Sequence, residues 1–169
     1  MICLICCIGV EKLKENWKIW IRSIAIPLLV GLLAGLFTRN SMEAFAALNQ
    51  PPLSPPGWLF PVVWTILYLL MGIAAGLVAT SDAKGTYIDS ALFVYYLQLV
   101  VNFFWPILFF RLEWLLFSFF WLVLLWLLIL LTIKLFYRVS KPAAYLMIPY
   151  LLWVNFAGYL NLSIYLLNR

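Results

Sequence analysis

Histidine is absent from this chain, and its three cysteines, Cys3, Cys6 and Cys7, all fall within the first seven residues. A metal site on those thiols would need further ligands that the sequence does not supply, and no disulfide framework is implied. A frayed apolar end or a lipidated thiol accounts for them equally well. Charge is also scarce: 10% of residues are charged and 67% hydrophobic, with a mean hydropathy of +1.06. A soluble domain carries roughly 25% charged and 45–50% apolar residues, so the chain is a polytopic membrane protein. Paired carboxylates and a nucleophile beside a base are missing too, which excludes ordinary acid–base catalysis. The formal charge of +5 is scattered at the ends of apolar runs. That placement orients helices in a bilayer and does not make a nucleic-acid surface. Residues 1–10 are apolar but too short to span, and the charged cluster follows them, the wrong order for a secretory signal. No transit peptide is visible, which favours a bacterial cell membrane over a mitochondrial or outer-membrane one.

What the chain does have is aromatic surface: 18% of residues, nine of them tryptophan. Two interfacial belts on so small a bundle need fewer. The stretch 51–79, PPLSPPGWLFPVVWTILYLLMGIAAGLVA, concentrates the pattern. Prolines stop a loop and a charge-free run long enough to cross a bilayer follows. Trp64 and Tyr68, four residues apart, emerge from one helical face, which Met71, Gly72 and Ala75 continue. Large rings near one membrane surface with small residues beneath suit half of a pocket for a flat apolar ligand. The same layout also suits a helix whose aromatics merely fill space.

Hydropathy predicts an all-α bundle of five transmembrane helices at about 19–38, 58–79, 90–110, 114–133 and 142–166, after a charged lead-in over 1–18. Gly31 and Gly35 form one GxxxG, Gly72 and Gly76 a second, and each lets another helix approach closely. The loop 39–57 is long enough to be a lid, with SMEAFAALNQ able to form a short helix and PPLSPP unable to. In the third span Gln98 and Asn102 share a face with Trp105 and Phe109, and amides in hydrocarbon must face other helices. Their bland role is interhelical glue. Pro106 is expected to kink that span. Arg111-Leu112-Glu113 is a tight turn, making spans three and four antiparallel neighbours. Trp114, Phe117 and Trp121 form a stripe on the fourth, and Pro149, Trp153, Ala157, Leu160 and Asn161 share a face of the fifth. Eight basic residues lie on the side of the N-terminus and three, Arg39, Arg111 and Arg169, on the other. The N-terminus is therefore expected inside, with the proline loop and C-terminus outside.

The segments PPLSPPGWLFPVVWTILYLLMG, QLVVNFFWPILFF and PYLLWVNFAGYLN, in that order, resemble the translocator protein family. That family comprises the bacterial tryptophan-rich sensory proteins (TspO) and the mitochondrial peripheral-type benzodiazepine receptor. The likeness covers about residues 25–162. It implies a five-helix bundle, usually a homodimer, with one pocket below the first loop. The implied ligands are porphyrins such as protoporphyrin IX and haem, isoquinoline and benzodiazepine compounds and, in animal members, cholesterol. No obligatory cofactor is implied; porphyrin is ligand or substrate. The resemblance assigns Trp64 and Tyr68 of the second helix, Asn102 and Trp105 of the third, Trp114 opening the fourth, and Trp153, Ala157 and Leu160 of the fifth to the ligand, with Phe60 and Val63 beside Trp64. In some bacterial members, residues equivalent to Trp64 and Trp153 support light- and oxygen-dependent porphyrin breakdown. The chain departs from the family at Ala44-Phe45, where Trp-Tyr is common, at Gln50 in place of Lys, at Leu53 in place of Trp, and at Ser118 in place of an acidic residue. The cholesterol motif is out of register: Leu162 stands where animal members have Tyr.

Four functions remain in view: a tetrapyrrole-binding sensor or translocator, a porphyrin-degrading enzyme, a transporter, and a structural or regulatory membrane partner. Transport is the less supported, because intramembrane charge and an inverted repeat are both missing. If the second and fifth helices end level, Trp153 sits about 10 Å deeper than Trp64 at ~1.5 Å per residue, so the rings would meet opposite edges of one upright ligand.

Overall fold

A charge-poor chain in hydrocarbon has to satisfy its backbone within each segment, so helix is the available solution. The computed structural model describes residues 2–41, 45 and 47–169, with side chains from residue 16 onward except 42–44 and 46. It contains helix α1 (Ile2–Thr38), a 3₁₀ turn (Arg39–Ser41), α2 (Leu59–Ala79), α3 (Gly85–Pro106) with a wider π turn (Ile107–Arg111), α4 (Leu115–Val139), α5 (Lys141–Leu146) and α6 (Ile148–Leu167). Among the described residues five segments are long and apolar enough to cross a membrane: Asn16–Ser41, Leu59–Ala79, Gly85–Arg111, Leu115–Val139 and Lys141–Leu167. No strand occurs among the described residues. The expected class, an all-α five-helix bundle, is the observed one.

The boundaries differ where a helix outlives the apolar run. The backbone does not set the expected lead-in over 1–18 apart from the first span, because α1 runs on from Ile2 through Thr38 without a break. The side chains of Cys3, Cys6 and Cys7 lie outside the described residues, as does Ala44 of the first loop. α3 starts five residues before the predicted span, at Gly85, its polar first turns held by Ser90 Oγ donating to Thr86 O at 2.8 Å. α4 runs on to Val139, which places Lys134 and Arg138 in its last turns, where cations suit the helix dipole. Hydropathy marks where the membrane ends, not where the backbone stops coiling. The fifth span is divided at Met147: Pro149 offers no N–H, and its ring would clash with the preceding turn. After Pro106 the helix widens into the π turn instead of simply kinking. Glu113, with φ of 54°, then reverses the chain, and α3 and α4 pack side by side as expected.

α1 packs along α2, and glycine makes that approach close. A Cβ on Gly72 would lie 2.7 Å from the Ile24 Cα and 2.9 Å from the Ser23 carbonyl oxygen. Gly31 lies under the Tyr68 ring and Gly76 under Trp20, whereas a Cβ on Gly35 would meet nothing within 4 Å. Three of the four GxxxG glycines therefore serve packing inside one chain. Gly72→Ala should lower the thermal midpoint in detergent, since overlap with backbone costs about 1–3 kcal/mol. Gly35→Ala should hold or raise it, by up to ~1 kcal/mol of helix propensity. Equal midpoints for the two variants would remove the α1–α2 contact as their cause.

Candidate functional site

Three helices bring their aromatics to one place. α2 contributes Phe60, Trp64 and Tyr68 at successive turns, α3 contributes Trp105 and Phe109, and α6 contributes Tyr150 and Trp153. Trp64 lies 5.5 Å from Tyr68, 6.2 Å from Trp105 and 6.1 Å from Tyr150, measured between ring centroids. Trp105 stacks on Phe109 at 5.5 Å with 11° between planes, and Phe60 meets Trp153 edge-on at 6.1 Å. The rungs across α2 and α6 are thus Phe60 with Trp153 and Trp64 with Tyr150. This reverses the expected depth order: Trp153 is about one helical turn, ~5 Å, nearer the first-loop end than Trp64. The helices do not end level, because α6 continues from Trp153 to Leu167 and its end is met by the loop that precedes α2.

Below the rings runs a buried polar chain. Asn102 Nδ2 donates to the Tyr150 hydroxyl at 2.8 Å, that hydroxyl donates to Gln98 Oε1 at 3.1 Å, and the Tyr68 hydroxyl donates to Asn102 Oδ1 at 3.4 Å. Gln98 and Asn102 are therefore interhelical ties, and Asn102 is also the floor beneath Trp64 and Trp105. Asn161 Nδ2 donates to Ser118 Oγ at 2.9 Å, so the serine that replaces the family's acidic residue pairs with the last helix. Sequence reasoning missed Tyr150; its position three residues before Trp153 on a helix was the available signal.

The centre of the cluster is nearly full. A cavity of about 10 Å³ remains, lined by Phe60, Trp105, Phe109, Ala157, Leu160, Asn161 and, from the first loop, Phe45. Phe45 is buried, with its ring 5.0 Å from Phe110, 5.8 Å from Phe109 and 6.1 Å from Phe60. Gln50 Nε2 donates to the Phe45 carbonyl at 2.7 Å, and Ser54 Oγ donates to Gln50 Oε1. Two of the departures from the family pattern thus act together, one as plug and one as its brace. The Asn49 N–H donates to Asn168 Oδ1 at 2.9 Å, and Asn168 Nδ2 returns a bond to the Asn49 carbonyl at 3.1 Å. This reciprocal latch ties the loop to the end of α6. Trp105 Nε1 and Asn161 Oδ1, on residues that line the cavity, are buried without partners, as is Trp153 Nε1 behind Phe60.

Phe60, Trp64, Tyr68, Asn102, Trp105, Trp153, Ala157 and Leu160 are accordingly gathered into one region. Val63 borders it, half-buried, on a groove between α2 and α6. Trp114 is left outside: it is 55% exposed and packs edge-on against Phe117. Its place among the ligand residues came from the resemblance; here it caps α4 with a non-helical backbone and faces away from the cluster. Phe117 continues the outward stripe to Trp121, whose Nε1 donates to the Val101 carbonyl at 2.8 Å and fastens α4 to α3.

Residues 23–167 match the TspO/MBR family. The chain is 40% identical over 146 residues to a tryptophan-rich protein TspO of Chlorobaculum tepidum, covering 86% of this chain and 92% of that one. It is 35% identical over 126 residues to a tryptophan-rich sensory protein of Cereibacter sphaeroides, covering 75% and 77%. It is 32% identical over 139 residues to a translocator protein of Bos taurus, covering 80% and 82%.

Tyr150→Phe removes the hydroxyl between Asn102 and Gln98 and leaves both amides short of a partner. Unfolding in detergent should be easier by about 1 kcal/mol, near the upper range for interhelical hydrogen bonds in membranes. An unchanged midpoint would mean that the amides re-pair with each other.

Proposed function

The chain belongs to the TspO/MBR family of multi-pass membrane proteins, and on that premise we propose that this translocator or sensory protein binds a flat apolar ligand of the tetrapyrrole class within its bundle. The observation that carries the reading is one aromatic cluster built by three helices: Trp64 meets Trp105, Trp153 meets Phe60, and Phe60 and Trp105 line a cavity plugged by the flat ring of Phe45. The cavity as it stands is far too small for a macrocycle. Withdrawal of Phe45 with its loop makes room, and a ligand ring then takes over the aromatic contacts that Phe45 now makes. The unpartnered Trp105 and Trp153 N–H groups and Asn161 Oδ1 offer two donors and one acceptor to polar atoms of the ligand. Arg39, Arg111 and Arg169 lie where α1, the π turn and α6 end, at the loop end of the bundle. Peripheral carboxylates of a porphyrin would find their counter-charges there.

The alternative carried by the same residues is light- and oxygen-dependent breakdown of the bound porphyrin, with Trp64 and Trp153 as electron donors. Isoquinoline and benzodiazepine compounds fit the site on the same aromatic grounds. The excess of eight basic residues (Lys12, Lys14, Lys18, Arg22, Lys84, Lys134, Arg138 and Lys141) over three supports an N-terminus inside a bacterial cell membrane. A homodimer is part of the same proposal.

Titration of the purified protein with protoporphyrin IX in the dark, followed by illumination, tests both readings. Trp64→Phe and Trp153→Phe keep most of the stacking area and should weaken dark binding only slightly. They should abolish light-driven bleaching if it occurs, because phenylalanine does not readily give up an electron. No saturable binding by the unaltered protein would overturn the proposal, and undiminished bleaching in the double variant would remove the enzymatic alternative.

A further inference from the structure

We propose that the seam between α2 and α6 is a lateral portal through which a flat apolar molecule dissolved in the bilayer reaches the aromatic site. This inference rests on the site proposed above and concerns how it is entered. Outside the cavity the structure has an apolar groove of about 440 Å³, lined by Val63, Ile66, Leu67 and Leu70 of α2 and by Pro149, Leu152, Trp153 and Phe156 of α6. That volume falls in the range of small-molecule sites, roughly 300–1,000 Å³. Groove and cavity are separated by one layer of side chains. Trp153 lines the groove and meets Phe60, and Phe60 lines the cavity.

The seam is also the weakest-fastened junction around the site. Hydrogen bonds join α2 to α3 through Tyr68 and Asn102, and α3 to α6 through Asn102 and Tyr150. Others join α3 to α4 through Trp121, and α4 to α6 through Asn161. Among the described residues none joins α2 to α6. The partition is held by packing alone: Trp153 Nε1 has no hydrogen-bond partner, and its ring lies against Phe60 and Phe156. The first turn of α6 is set off from α5 by the break at Met147 and contains Pro149. The route from the water side is closed by Phe45 and by the Asn49–Asn168 latch. A bilayer-soluble ligand that enters through the seam never has to return its apolar surface to water.

A single thiol inside the cavity tests the portal without any porphyrin. In a background of Cys3→Ser, Cys6→Ser and Cys7→Ser, Ala157→Cys is reconstituted into phosphatidylcholine vesicles. It is exposed to pyrenyl maleimide, a flat apolar reagent that partitions into the bilayer, or to a sulfonated maleimide confined to water. Ile66→Trp and Leu152→Trp then fill the groove; both side chains are more than half exposed, so the fold has little reason to change. The pyrenyl reagent should label the new thiol faster than the charged one. Filling the groove should slow that labelling by about tenfold or more, and cutting the latch with Asn168→Ala should leave it unchanged. Labelling indifferent to groove filling, labelling accelerated only by the latch variant, or no labelling of the thiol at all would each overturn the portal. Groove-dependent labelling in a protein that fails to bind protoporphyrin would overturn the assigned ligand and leave the portal standing.

Discussion

Inside a bilayer the lipid tails are as apolar as leucine, so burying a hydrophobic face against another helix gains little. The bundle depends instead on close approach and on polar groups that find partners only across helices. Gly72 meeting the backbone at Ile24 supplies the first, and the chain Tyr68–Asn102–Tyr150–Gln98 supplies the second. The hydrogen bonds are individually modest, yet they set the register of α2, α3 and α6. That register brings Trp64 opposite Tyr150 and Phe60 opposite Trp153. The same atoms therefore hold the fold together and shape the floor of the site.

The site is closed by the protein's own chain. Phe45 plugs the aromatic cavity, Gln50 braces its carbonyl, and Asn168 grips Asn49 through both edges of its amide. On the proposed reading a ligand would compete with this tethered ring, and residues of the loop would then matter as much as those of the walls. Phe45 and Gln50, at both of which the sequence departs from the pattern it resembles, are joined by a hydrogen bond from the Gln50 amide to the Phe45 carbonyl.

Fastening around the cavity is uneven. Polar ties connect α2, α3, α4 and α6 in a path that leaves α2 and α6 facing each other across side chains alone. α6 begins at a break, and the tryptophan between groove and cavity has no hydrogen bond to hold it. Hydrogen bonds on three sides and side-chain packing alone on the fourth is the asymmetry on which the proposed portal rests.

Hydropathy and spacing by themselves determined the membrane class, the five spans, the faces of α2, α3 and α6 that turn inward, and the need for Gln98 and Asn102 to meet other helices. Those are properties of single segments: transfer free energy and helical period are written residue by residue. The ends of the helices were less legible, because Gly85–Asp89 and Lys134–Val139 remain helical after leaving the apolar layer. Trp114, assigned to the ligand by the resemblance alone, stands exposed ahead of α4, away from the other rings. Tyr150, the Phe45 plug, the Asn49–Asn168 latch and the relative depth of Trp64 and Trp153 came only with the tertiary structure. Each depends on how far one helix slides along another and on where a loop comes to rest. Such offsets are settled by packing between segments distant in sequence, and no single segment encodes them.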